Sequence, residues 1–307
     1  MQETVLETNA LTKRYSMGCA VDAVSMTVRR GDIYGVIGQN GAGKTTLIRM
    51  VTGLISPTSG EIALFGEAKL DVGRKRIGCI VEGPAFYPKM SAEQNLEYFR
   101  IQRGIPNKAA VEQALEVTGL AKTGKKKYAQ FSLGMKQRLG LALAIMGKPD
   151  FLILDEPING LDPMGIVEFR GIIQELNHKH DMTVLISSHI LAELTQVATT
   201  YGIIHNGRLI KQVSSQQLEE ETRRCISVKV DYPDIAATIL EEKMHISDYE
   251  VLPDGELRIY ASLENPSEVN FQLSTGGVRV QAMNEIGVNL EDYFIQAIQK
   301  EDGGKSA

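Results

Sequence analysis

Gly38-Gln39-Asn40-Gly41-Ala42-Gly43-Lys44-Thr45 sets three glycines, a lysine and a hydroxyl at the spacing that cradles a polyphosphate. The glycines let the backbone wrap closely, so consecutive N–H groups and a helix N-terminus face the anion. Lys44 reaches the terminal phosphates, and the Thr45 hydroxyl suits Mg²⁺. Further along, Phe151-Leu152-Ile153-Leu154 ends in two acids, Asp155 and Glu156. In-line phosphoryl transfer needs a metal clamp and a group that polarises the attacking water, and these two acids supply both parts. His189 follows the apolar run Thr183-Val184-Leu185-Ile186-Ser187, at the strand end where open α/β sheets bind ligands. A lone histidine is more often structural than catalytic, but this position favours function. His178 and His180 lack cysteine or acidic partners in pattern and read as solvated.

The elements that must position these groups are legible. Ile33-Tyr34-Gly35-Val36-Ile37 reads as a buried strand, and Lys44 to Leu54 as the helix after it. With the runs ending at Leu154 and Ser187, they make a mostly parallel α/β core. Asn206-Gly207 between Gly202-Ile203-Ile204 and Leu209-Ile210 signals a hairpin. Between about residues 85 and 148 the character is helical. Ser91 and Gln94 form a capping box, and Ser132 opens a long apolar helix that Gly147 and Pro149 end. From about residue 222 the pattern is strand-helix-strand-strand-helix-strand and a last helix, a small α+β unit compatible with a ferredoxin-like fold. The expected division is 1–221 and 222–307.

A chain of 307 residues suits one large domain or a large domain plus a small one, and its net charge of −5 gives no general attraction to nucleic acid. Lys125-Lys126-Lys127 reads as a solvated loop. Three scattered cysteines argue against a disulfide framework and fit a reducing cytosol. The longest apolar stretch, Leu139 to Met146, falls far short of the roughly 20 residues a membrane helix needs.

In order and spacing, the first two-thirds of the chain resembles the nucleotide-binding subunit of an ABC transporter. The resemblance implies ATP and Mg²⁺ as ligands, with Gly38, Asn40, Gly41, Gly43, Lys44, Thr45 and Thr46 around the phosphates. It makes Tyr15 the aromatic residue that stacks on adenine, Asp155 a metal ligand, and Glu156, His189 and Lys44 catalytic. Phe131-Ser132-Leu133-Gly134-Met135 resembles a degenerate signature motif, and Gly160-Leu161-Asp162 the D-loop. In the family, Ser132 and Gly134 contact ATP held by the other subunit, so a head-to-tail homodimer is implied. One departure stands out: Ile80-Val81-Glu82-Gly83-Pro84 carries glutamate where the family usually has a metal-ligating glutamine. Glu82 is therefore expected as a second carboxylate beside Asp155 and the metal. Together with Phe86-Tyr87-Pro88, Ser-Leu-Gly-Met-Lys-Gln and Asp-Glu-Pro-Ile-Asn-Gly-Leu-Asp, it resembles the ATPases of bacitracin-type and lantibiotic exporters. That resemblance implies a separate membrane permease as partner and a peripheral place on the cytoplasmic face. The alternative is a soluble ATPase of translation or DNA repair. Such proteins carry paired cassettes, coiled-coil insertions or zinc insertions, and this chain has one cassette, no heptad run and no CxxC pair.

Overall fold

The computed structural model describes residues 3–67, 69–83, 85–261, 264–286 and 290–303, so Pro84 lies outside the described residues. The chain divides into two compact units, Met1–Ser215 with Lys300–Ala307, and Gln216–Gln299.

In the larger unit β1 (Thr4–Tyr15) and β2 (Gly18–Arg29) form an antiparallel hairpin. β3 (Ile33–Ile37) is buried at every residue, and α1 (Lys44–Thr52) follows the glycine-rich loop, stopping at left-handed Gly53. β4 (Ser59–Leu64) returns to β1, and α2 (Leu70–Arg74) leads into β5 (Ile77–Ile80). Three helices then pack on one another: α3 (Ala92–Gln102), α4 (Ala109–Val117) and α5 (Leu133–Ile145). Ser91 caps α3 through a complete capping box with Gln94, and Ser132 caps α5. α5 is buried from Leu139 to Ile145, which explains its apolar residues on every side.

The chain re-enters the core with β6 (Phe151–Leu154), α6 (Pro163–His180), β7 (Thr183–Ser188) and α7 (Leu191–Leu194). β8 (Thr200–His205) and β9 (Arg208–Ser214) complete it as a hairpin. Asn206 and Gly207 both have positive φ, 48° and 79°, the turn that matches strand twist. The six-stranded sheet runs β5-β6-β7-β3-β8-β9, and every pairing but β8–β9 is parallel. One apolar cluster fastens the two sheets through α1. Leu47, Ile48, Met50 and Val51 pack with Leu6, Val24 and Leu64 of the three-stranded sheet and with Val36, Ile153 and Leu185 of the six-stranded one. A helix gripped on both sides holds its N-terminus still, which the phosphate-facing loop requires.

The smaller unit takes in all of α8 (Ser215–Thr222) after its first residue, so the compositional shift near 222 marks the end of that helix. β10 (Cys225–Val230), α9 (Pro233–Glu242), β11 (Tyr249–Val251), β12 (Glu256–Ile259), α10 (Pro266–Thr275) and β13 (Val280–Ile286) follow. The sheet order is β11-β12-β10-β13, all antiparallel, which is the ferredoxin-like arrangement. Alternation decides which side is covered: Ile226, Val228, Leu257 and Ile259 join Ile239, Leu240, Val269 and Leu273 in one core. Between them on the other face, the Ser227 hydroxyl donates to Glu256 at 2.7 Å. α11 (Leu290–Gly303) ends the described chain.

Asn95, fully buried, pins the loop that enters α3. Its Oδ1 accepts from the Tyr87 N–H at 2.7 Å, while Nδ2 donates to the carbonyls of Ser91 at 2.9 Å and Tyr87 at 3.2 Å. Asn95→Ala strands the Tyr87 N–H, a loss of roughly 1–3 kcal/mol where it stays dry, while the carbonyls of Ser91 and Tyr87 keep the N–H groups of Asn95 and Met90. The expected outcome in thermal denaturation is a melting temperature lowered by several degrees, against little change for an exposed control such as Glu93→Ala.

Candidate functional site

Parallel strands point their C-terminal ends the same way, so β3, β5, β6 and β7 deliver their following loops to one edge. The register is tight: Ile37 lies beside Ser188, and Leu154 beside both Ile186 and Ile80. Residues far apart in sequence therefore meet: the glycine-rich loop after β3, Glu82 after β5, Asp155 and Glu156 after β6, and His189 after β7.

The loop's shape follows from its glycines. A Cβ on Gly38 would lie 2.4 Å from the Ile204 carbonyl oxygen, and one on Gly43 would lie 2.4 Å from that of Ala20. Gly43 also has φ 108°, so it is excluded to side chains twice over. Gly41 is left-handed with open space around it, and Asn40 is exposed at the rim. No side chain caps α1 and its first turn carries no acid, leaving the N–H groups of Lys44, Thr45 and Thr46 for an anion.

Lys44 is 4% exposed, and its ammonium donates to the carbonyls of Gly38 at 2.6 Å and Gln39 at 3.1 Å. Glu156 Oε1 stands 3.1 Å from the same nitrogen. The other carboxylate oxygen of Glu156 is 2.8 Å from His189 Nδ1. Asp155 is held at both oxygens: the Thr45 hydroxyl donates to Oδ2 at 2.7 Å and the Ser187 hydroxyl to Oδ1 at 2.7 Å. Ser187 Oγ in turn accepts the Glu156 N–H at 2.9 Å, and the Asp155 N–H reaches the Ile80 carbonyl at 2.9 Å. Glu156 adopts a left-handed backbone, φ 47°, which swings its side chain from the strand direction toward Lys44 and His189. The result is one connected set, Thr45–Asp155–Ser187–Glu156, closed by Lys44 and His189.

Other sequence-stated residues lie elsewhere. Tyr15, at the end of β1, is 48% exposed, with the Lys13 ammonium 5.4 Å from its ring centroid. Ser132 accepts the Met135 N–H at 3.3 Å, and Asp162 caps α6 by accepting the Gly165 N–H at 3.3 Å. Gly160 packs under Leu133, so the Ser132–Gly134 turn and the Gly160–Asp162 loop are neighbours. Among the described residues, no hydrogen bond joins this second group to the Lys44 set. Glu82 differs from expectation in one respect. Its carboxylate does not join the Thr45–Asp155 pair but accepts from the Arg49 guanidinium of α1. A positive partner within reach outweighs crowding against another carboxylate.

Sequence reasoning did not single out Ser187 or Arg49. Ser187 is fully buried, and its hydroxyl sets the direction of both acids. Ser187→Ala is expected to lower ATP turnover roughly 10- to 100-fold, as loss of a ligand-orienting partner does, while Ser187→Thr retains more of it. Steady-state phosphate release is the check.

The family model for the ABC transporter matches residues 21–159. The bacitracin transport ATP-binding protein BcrA of Enterococcus faecalis is 42% identical over 301 residues, covering 97% of each chain. The lantibiotic transport ATP-binding protein SrtF of Streptococcus pyogenes is 40% identical over 219 residues, 70% of this chain and 95% of that protein. Among solved structures, an ATP-binding subunit of an ABC transporter superposes with a TM-score of 0.62 at 29% identity, covering 70% of this chain and 92% of that one. Glycine-rich loop, paired acids and histidine thus stand in a known frame, and the chain belongs to the ATP-binding subunits of ABC transporters, which bind and hydrolyse ATP to drive transport.

Proposed function

We propose that two copies of this chain close on two MgATP molecules and drive a separate permease that moves a bacitracin- or lantibiotic-type peptide off or out of the membrane. The observation that carries the catalytic part is the connected set from Thr45 to His189, in which each chemical role has one group at bonding distance. The N–H groups of Gly41 and of Gly43 to Thr46, with Gly38 letting the loop turn and Asn40 at the rim, embrace the phosphates, while Lys44 turns from Glu156 to the terminal oxygens. Tyr15 offers its exposed ring to adenine. Glu156 orients and deprotonates the attacking water, and His189 holds the second carboxylate oxygen in place.

The donor set suits Mg²⁺. Thr45 and Asp155 present two hard oxygens 2.7 Å apart, and the described residues contain no group of three or more acidic, histidine or cysteine side chains that could cage a metal. Mg²⁺ is ordinarily held by one or two protein oxygens with water and phosphate completing the shell. When bound it neutralises charge on the transferring phosphoryl group. The Ser132–Gly134 turn and Asp162, set apart from the Lys44 set, fit contacts made across a dimer to the other copy's nucleotide.

The peptide substrate is supported by kinship with the bacitracin and lantibiotic transport proteins over the full cassette. No helix among the described residues is long and apolar enough to cross a membrane, which agrees with a subunit docked on a permease at the cytoplasmic face. The C-terminal unit is read as an accessory, dimer-supporting module. The lantibiotic relative matches over 95% of its length with only 70% of this chain, so part of this chain has no counterpart in that match.

Glu156→Gln is expected to keep ATP bound, cut turnover about 100- to 10,000-fold and elute as a dimer with MgATP on a sizing column. Lys44→Ala should lose nucleotide binding. A Glu156→Gln protein that binds ATP yet stays monomeric would sink the two-copy reading. Co-expression with the permease and a bacitracin survival assay tests the substrate.

A further inference from the structure

We propose that Arg49 is the positioning residue for Glu82, holding the glutamate carboxylate as half of a neutral pair at the metal side of the nucleotide site. The inference rests on the reading of that site given above. Glu82 lies just past Ile80, whose carbonyl accepts the Asp155 N–H at 2.9 Å, so the two strand ends are tied together. The backbone then bends through two left-handed residues, Glu82 at φ 60° and Gly83 at φ 75°. That bend brings the acid to α1, where Arg49 donates to Glu82 Oε1.

Arg49 stands four residues after Thr45 on α1, hence on the same face one turn along. One stripe of one helix therefore addresses both acids: the Thr45 hydroxyl takes Asp155, and the Arg49 guanidinium takes Glu82. An unmatched second carboxylate beside Asp155 would add negative charge where the cation is to sit, and Arg49 offsets it. The side chains are 31% and 67% exposed, so the pair adds little to stability. Its effect is directional: it sets where the Glu82 oxygens point. A glutamate with its own arginine carries no net charge, as the neutral glutamine of the family pattern does, yet it keeps two strong acceptor oxygens.

The test compares wild type, Arg49→Gln, Glu82→Gln, the double variant and Arg49→Lys. The primary readout is the Mg²⁺ concentration that half-saturates binding of a fluorescent ATP analogue. Arg49→Gln frees the carboxylate and is expected to lower that midpoint about three- to tenfold, the scale of one neighbouring charge in a partly solvated site. In the Glu82→Gln background the same change should shift it less than twofold, and Arg49→Lys should lie near wild type. Equal shifts in both backgrounds would overturn the proposal, because Arg49 would then act without Glu82. Thermal denaturation without nucleotide or metal separates positioning from folding: all variants should melt close to wild type, as an exposed pair implies, and a large loss in Arg49→Gln would count against a positioning role. A wild-type chain unable to bind the analogue would instead overturn the site reading itself.

Discussion

A buried ammonium governs the cassette. Lys44 is withdrawn almost wholly from water, and a charge so placed must be met by fixed dipoles or by an opposite charge. The protein supplies two loop carbonyls and the Glu156 carboxylate. Meeting the first two makes the glycine-rich loop curl back over its own lysine, and there it lies against the Ile204 and Ala20 carbonyls, which leave no space for a Cβ at Gly38 or Gly43. Meeting the third brings the end of β6 to the start of α1. Loop, helix and strand end are thus placed by the same electrostatic demand, and the apolar cluster around α1 makes the placement rigid.

The groups fall into two populations with different mechanics. Lys44, Asp155, Glu156 and His189 are carried by one parallel sheet and the helix it grips, so their mutual distances follow from strand register. Ser132, Gly134 and Asp162 sit at helix starts outside that sheet, where their side chains or backbones also serve local capping. A catalytic centre on the first population and a contact surface on the second is a workable division, since only the first must keep sub-ångström order.

Much of this was legible in the sequence because spacing encodes it. The glycine-rich loop, the apolar run ending in Asp155-Glu156 and the capping residues Ser91 and Ser132 are local patterns, and local patterns survive without a structure. The hairpin at Asn206-Gly207 is of the same kind. Ser187 was not legible: a serine closing an apolar strand has no distinguishing neighbours, and its importance arises from parallel pairing with a strand that lies about 30 residues away. Arg49 was hidden for the same reason, being 33 residues from its partner on a different element. The direction of Glu82 depends on that arginine, which a motif read along the chain does not bring beside it.

The left-handed backbone at Glu156 restricts which side chains can serve there. Asparagine, aspartate or glycine would rest there more comfortably, for the conformation costs an ordinary side chain about 1–2 kcal/mol. None of them has the reach to span Lys44 on one side and His189 on the other. A long acid on an uncomfortable backbone gives up some fold stability for the reach that the chemistry needs.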